Sequence, residues 1–173
     1  RRRKSSCICH NKILHSCIVF VKKFFYYTYI MIGNINTNKL FNYAELAITI
    51  GVNLQENQEL VINADVTDCE FARIIAQTAY KHKAKKVTIM WRDELFTKLR
   101  YENEDLENLV NIPQYQIDER NYAVEKNAAY LCILSEDPNL MKDVSPKILS
   151  ETSKAKNIAF QKFYDASMKN QIR

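Results

Sequence analysis

Apolar residues recur along this chain in two rhythms. Leu60, Val61 and Ile62 form a short continuous run, and Val87, Thr88, Ile89, Met90 and Trp91 form another. Between them Phe71, Ile74, Ile75, Thr78 and Ala79 recur at helical spacing. Two strand-like runs joined by one amphipathic helix predict a βαβ unit with parallel strands and a right-handed crossover. Upstream, Leu40, Tyr43, Ala44, Leu46, Ala47 and Ile50 predict a helix from residue 39, ended by Gly51 as a left-handed residue just past its last turn. Asn36, Thr37 or Asn38 can cap that helix, and Thr67 or Asp68 the next, which runs to about residue 82. Asp93 can cap a third helix over 94–101, a short helical piece follows over 103–110, and 116–127 reads as helical. AAYLCILS, residues 128–135, is a third strand of the kind buried on both faces of a parallel sheet. After a turn at 136–139, Pro146 opens one long final helix towards Met168. Its face is sparse in the middle, ETSKAKN, so part of the helix is expected to be exposed or to meet something outside this chain.

The fold class that follows is α/β: a three-layer sandwich with a mainly parallel sheet of at least three strands and flanking helices. Residues 1–30 do not share this pattern. They are basic, then apolar and aromatic, but Lys22 and Lys23 interrupt the run, so the roughly 20 apolar residues of a membrane span are not available. No small-residue cleavage site follows. The expectation is a basic and apolar extension, non-native or an isolated helix, ahead of a domain over 31–173 that starts at Met31. The competing expectation is an interfacial membrane anchor.

The charge balance changes once this extension is set apart. The whole chain is +5, but residues 1–30 hold seven basic residues and no acid. The rest carries 18 basic and 20 acidic residues, a net charge of −2, which gives no nucleic-acid footprint. Gly33 and Gly51 are the only glycines, so neither GxGxxG nor a Walker A loop can be written. Cys7 and Cys9 with His10 are a weak zinc candidate, while Cys69 and Cys132 read as small buried hydrophobes.

Ligands of open parallel sheets bind beyond the carboxyl ends of the strands. That rule selects Asp65, then Trp91, Arg92 and Asp93, then Ser135 and Asp137 as candidates for a substrate cleft. Asp65 and Asp93 can act as a carboxylate pair for proton transfer or magnesium binding, or serve only as helix caps and loop residues. Trp91 can stack on a ligand or pack at a strand end. His82, beyond residue 30 the one histidine, falls at a helix C-terminus and is read as solvated. No HExxH and no CxxC occurs, so neither catalytic nor metal-ligating residues are assigned.

Four stretches in order carry a family resemblance: YAELAITIGVNLQENQELVINADV (43–66), FARIIAQTAYKHKAKKVTIMW (71–91), ELFTKLRYEN (94–103) and SEDPNLMKDVSPKILSETSKAKN (135–157). Together they resemble the N-terminal part of the thermophilic-type metallo-aminopeptidases, the aminopeptidase T, aminopeptidase S and PepS family. The resemblance implies a cytoplasmic, homodimeric hydrolase that removes N-terminal residues from peptides. It implies two divalent metal ions, cobalt, zinc or magnesium, held by Glu, His and Asp ligands in the C-terminal part of the full enzyme. No ligand carries over to a residue of this chain, which is therefore expected to be a truncated, inactive N-terminal domain with no metal of its own. The resemblance also implies that this domain restricts entry to the substrate chamber. Where relatives place a glycine before the second strand, this chain has Lys83, which must take an uncomfortable backbone conformation or a different turn. Two other readings stand beside this one: a free-standing α/β module binding a small ligand at Asp65, Trp91 and Arg92, and a membrane-tethered interaction protein.

Overall fold

The computed structural model describes residues 37–135 and 137–169. The expected reading of residues 1–30, the Asn36 cap and the capping hydroxyl of Thr37 lie outside what is described. The elements in order are α1 (Thr37–Leu46), a π-helical turn (Ala47–Gly51), β1 (Glu59–Asp65), a 3-10 turn (Val66–Asp68), α2 (Cys69–Lys81) and β2 (Lys86–Arg92). Then come α3 (Glu94–Asn103), α4 (Leu106–Val110), α5 (Gln114–Glu125), β3 (Ala129–Cys132), α6 (Pro146–Ala159) and α7 (Gln161–Met168).

The three strands pair in the order β2-β1-β3, all parallel. Leu60 sits opposite both Val87 and Ala129, and Val61 opposite Thr88 and Tyr130. Alternation along β1 sends successive side chains to opposite faces. Leu60, Ile62 and Ala64 meet Ala44, Ile48, Phe71, Ala72 and Ile75 of the first helical layer. Val61 meets Met90, Tyr130, Ala123 of α5 and Phe163 of α7 on the other face. This two-sided burial is why β1 reads as a continuous apolar run, and it makes the three-layer sandwich. Leu60, Ile62, Ile75 and Leu131 are among the largest fully buried side chains, each of the kind whose truncation to alanine costs about 2–5 kcal/mol.

Three expectations change. Gly51 is not left-handed, because no described glycine has positive φ. The first helix instead widens into its π turn, where the Val52 N–H donates to the Ala47 carbonyl at 2.8 Å and Val52 is buried. Leu46 and Ile50 point outwards, Ile50 being 71% exposed, since Leu46 lies two residues and about 200° round the helix from buried Ala44. The final helix is broken at Phe160, whose side chain is buried. The polar middle of α6 is exposed in part, as expected, at Ser153, Lys154 and Asn157, and the rest packs within the chain. Thr152 is buried with its hydroxyl donating to the Ile148 carbonyl at 2.6 Å, and Lys156 Nζ donates to the Tyr101 hydroxyl at 3.1 Å.

With so few glycines, Asn53, Asn57, Lys83 and Asn127 take positive φ, at 45°, 62°, 61° and 48°. Asparagine tolerates this region; lysine does so at a cost. Both α2 and α5 end in the same motif. After α2, the Lys83 N–H reaches the Tyr80 carbonyl at 3.0 Å and the Ala84 N–H the Ala79 carbonyl at 3.0 Å. After α5, the Asn127 N–H reaches Val124 and the Ala128 N–H reaches Ala123. These are Schellman caps, with lysine and asparagine at the position that favours glycine.

Lys83 therefore carries the strain expected of it. Lys83→Gly removes that strain and loses only an exposed ion pair, Lys83 Nζ to Glu56 at 3.0 Å. The expected outcome is a gain of roughly 0.5–1 kcal/mol in unfolding free energy by urea titration; no gain, or a loss, contradicts this account of the cap.

Candidate functional site

The crossover from β1 runs outward to β2, and the next returns from β2 past β1 to β3, so the carboxyl ends of β1 and β3 flank the switch point where an open α/β sheet binds its ligands. Asp65 closes β1 and is buried. Its Oδ1 accepts from the Thr67 N–H at 3.0 Å and the Thr67 hydroxyl at 2.7 Å. Its Oδ2 accepts from the Glu94 N–H, the first of α3, at 3.1 Å. One carboxylate thus ties the end of β1 to the 3-10 turn and to the start of the helix after β2.

Arg92 lies opposite Asp65 in the β1–β2 register. Its Nη2 donates to the Ile133 carbonyl at 2.8 Å, so the guanidinium spans from β2 across the end of β1 to the segment after β3. Ser135 comes from that same segment and donates its hydroxyl to Asp68 Oδ2 at 2.5 Å. Burial pushes the Asp68 carboxyl above its ordinary value; the Ser135 hydrogen bond opposes this, and the nearby Asp65 charge adds to it.

The structure therefore brings three of the six sequence-selected residues, Asp65, Arg92 and Ser135, to one place. Asp93 is exposed and caps α3, its Oδ1 accepting from the Phe96 N–H at 2.8 Å. Asp137 Oδ1 accepts from the Asn139 N–H at 3.0 Å, an Asx turn. Trp91, one residue before Arg92, points to the opposite face of the sheet and is 44% exposed, not packed into the core at the strand end. His82 leans on Glu45 of α1. Cys69 and Cys132 are both partly buried thiols.

Sequence reasoning treated Asp68 only as a helix cap. It occupies the N-cap position of α2 with no capping hydrogen bond, because its carboxylate faces Ser135 instead. No local signal announces a partner 67 residues away. A second polar layer below the strand ends was also missed. Asn63 Nδ2 and Arg120 Nη1 both donate to the Tyr130 hydroxyl, at 2.9 and 2.8 Å. Arg120 lies over the rings of Phe160 and Phe163, at 5.4 and 5.6 Å. Burial, the largest influence on it, pushes the Tyr130 phenol up to about 12, so it stays protonated. This layer anchors α5 and α7 to the sheet.

The donor set does not suit a metal. Among the described residues no three His, Cys, Asp or Glu side chains converge on a point. Asp65, the best-placed carboxylate, already has both oxygens occupied by N–H and O–H donors.

A family model described as thermophilic metalloprotease (M29) matches residues 36–173. The chain belongs to that family. Aminopeptidase AmpS of Bacillus subtilis (strain 168) is 34% identical over 119 residues, covering 69% of this chain and 29% of that protein. Aminopeptidase 2 of Geobacillus stearothermophilus is 35% identical over 130 residues, covering 75% of this chain and 32% of that protein. The structure of wild-type AmpT from Thermus thermophilus superposes with a TM-score of 0.71 at 26% identity, over 76% of this chain and 33% of that one. The chain thus spans about a third of the length of these family members. It shares their α/β fold over that third. No described helix is long and apolar enough to cross a membrane.

Substitutions at Asp65 and Asp68 test these roles. Asp65→Ala strands the Thr67 and Glu94 N–H groups and is expected to destabilise the fold by about 2–4 kcal/mol; Asp65→Asn keeps one acceptor oxygen and should cost about half as much. Equilibrium denaturation measures both, and a neutral Asp65→Ala removes the structural role. For Asp68 the folded value is raised, so the folded protein holds the proton more tightly than the unfolded chain from pH 3.8 upward. Its contribution to stability is therefore fully present below that pH and is lost as pH rises through the raised value. Asp68→Asn keeps an acceptor for Ser135 and should lack this loss, so the stability difference between variant and wild type grows in the variant's favour across that window. A difference that is flat with pH contradicts the assignment.

Proposed function

We propose that this region is the N-terminal domain of a metal-dependent aminopeptidase that removes N-terminal residues from peptides, and that the 173-residue chain is inactive by itself. The observation carrying this reading is a pairing. The chain matches about a third of named aminopeptidases, and the described residues of that third offer no converging set of metal donors. Hydrolysis of a peptide by a metal enzyme requires a bound ion to polarise the carbonyl or activate water. In this reading the two divalent ions, cobalt, zinc or magnesium, belong with ligands outside this region. The residues at the strand ends, Asp65, Arg92 and Ser135 with Asp68, hold the domain's upper edge in shape beside a substrate chamber. A cytoplasmic homodimer is the assembly proposed for the complete enzyme.

The test is a paired measurement on the purified full chain. Cobalt, zinc and magnesium are titrated by calorimetry, and a leucine chromogenic substrate is assayed with each. A Cys7→Ser/Cys9→Ser variant removes the thiolate pair near His10, so that remaining binding reports the rest of the chain. The expected outcome is no turnover and no stoichiometric metal in that variant. Turnover with stoichiometric metal overturns the inactive-domain reading.

A further inference from the structure

The polar layer of Asn63 on β1, Tyr130 on β3 and Arg120 on α5 has more hydrogen-bonding capacity than its members use on one another. The Tyr130 hydroxyl oxygen accepts twice, from Asn63 Nδ2 at 2.9 Å and from Arg120 Nη1 at 2.8 Å. Those two donors fill its lone pairs, so its own O–H points to a third place, where none of the described residues accepts it. The other atom of the same amide, Asn63 Oδ1, is buried and meets no donor. Asn63 is 2% exposed and Tyr130 6% exposed, so bulk solvent serves neither group. One orphaned donor and one orphaned acceptor thus stand on two side chains that are already hydrogen-bonded to each other.

Turning the Asn63 amide over does not repair this. Oδ1 then takes the Tyr130 proton, and Nδ2 is left buried without an acceptor instead. Either orientation leaves one atom of the amide in need of a further group. An unpaired buried polar atom is costly, and native interiors hold very few. The chemistry of the layer selects what fills the need. A cation is opposed by the Arg120 guanidinium, and an anion by the orphaned carbonyl oxygen of Asn63. An apolar molecule satisfies neither atom. The remaining class is a small neutral group that donates and accepts at once. Water does both, and Arg120 has N–H groups beyond the one given to Tyr130 to offer as a third contact.

We propose that an internal water molecule occupies this layer, donating to Asn63 Oδ1 and accepting the Tyr130 O–H. It makes a hydration site built into the domain, and it adds an indirect link to the direct bonds that join β1, β3 and α5 at this level. Asn63 lies two residues before Asp65 on the same face of β1, so the site sits beneath the strand-end cluster and is separate from it.

The test is NMR of the isotope-labelled full chain, paired with a high-resolution crystal structure. The expected result is a contact between water and the Asn63 side-chain amide protons whose NOE and ROE have opposite signs. That pattern marks a long-lived bound molecule and is not given by proton exchange. The crystal is expected to show a density peak within hydrogen-bond distance of both Asn63 Oδ1 and the Tyr130 hydroxyl. Asn63→Leu removes the orphaned acceptor, and its water contact at the Tyr130 ring should be lost. The thiol of Cys132, opposite Asn63 in the β1–β3 register, is the alternative donor. Cys132→Ala should therefore leave the water contact in place. The wild-type measurements decide the matter even where Asn63→Leu fails to fold. Absence of both the water contact and the density peak overturns the proposal. So does a protein donor found on Asn63 Oδ1, or density for a solute larger than water.

Discussion

The buried carboxylate of Asp65 holds three parts of the molecule that are far apart in sequence. It ends the central strand, closes the turn that launches α2, and accepts the first free N–H of α3. A polar side chain at this depth is tolerated because donors fill both of its oxygens. The consequence reaches α3 as a whole, which has no buried residue and so depends on how its ends are held. If the carboxylate is removed, the helix loses its seat on the sheet before any apolar contact is broken.

The strand ends show how an α/β sheet can use its customary ligand position to brace itself. Arg92 reaches across β1 to the Ile133 carbonyl, and Ser135 closes onto Asp68. Both contacts bridge the switch point between strands. Charged and polar residues there have the composition of a binding site and the geometry of a clasp. In a chain that spans about a third of the length of its relatives, the clasp ties the three strand ends of that third together.

The fold was largely legible because its signals are local. Continuous apolar runs marked the strands, and helical spacing marked α2. The Asp93 cap announced α3, and the strain expected at Lys83 is met by its left-handed φ of 61°. The misreadings had local causes too. Leu46 and Ile50 were counted with a face they do not share. The break at Phe160 carries neither proline nor glycine, so only burial of its ring betrays it. The candidate site was half legible. Position at a strand end located Asp65, Arg92 and Ser135, and the capping role open to Asp65 is one it takes, but the uses of Arg92 and Ser135 were invisible. Hydrogen bonds spanning 41 and 67 residues leave no trace in sequence spacing. Asn63 is the clearest instance: it stands inside an apolar strand, and it hydrogen-bonds the Tyr130 hydroxyl deep in the second layer.

The strand order also sets a timetable for synthesis. β1 pairs first with β2, which follows it closely, but its other edge waits for β3, since residue 60 meets residue 129. At about 5–20 residues per second, the ribosome needs roughly 2–8 s to travel from the end of β2 to the end of β3. For that interval a strand composed of Leu60, Val61 and Ile62 presents an unpaired apolar edge, the form most prone to pair with a neighbouring nascent chain. That edge extends through Asn63, whose carbonyl accepts the Ile133 N–H at 2.8 Å once β3 has arrived.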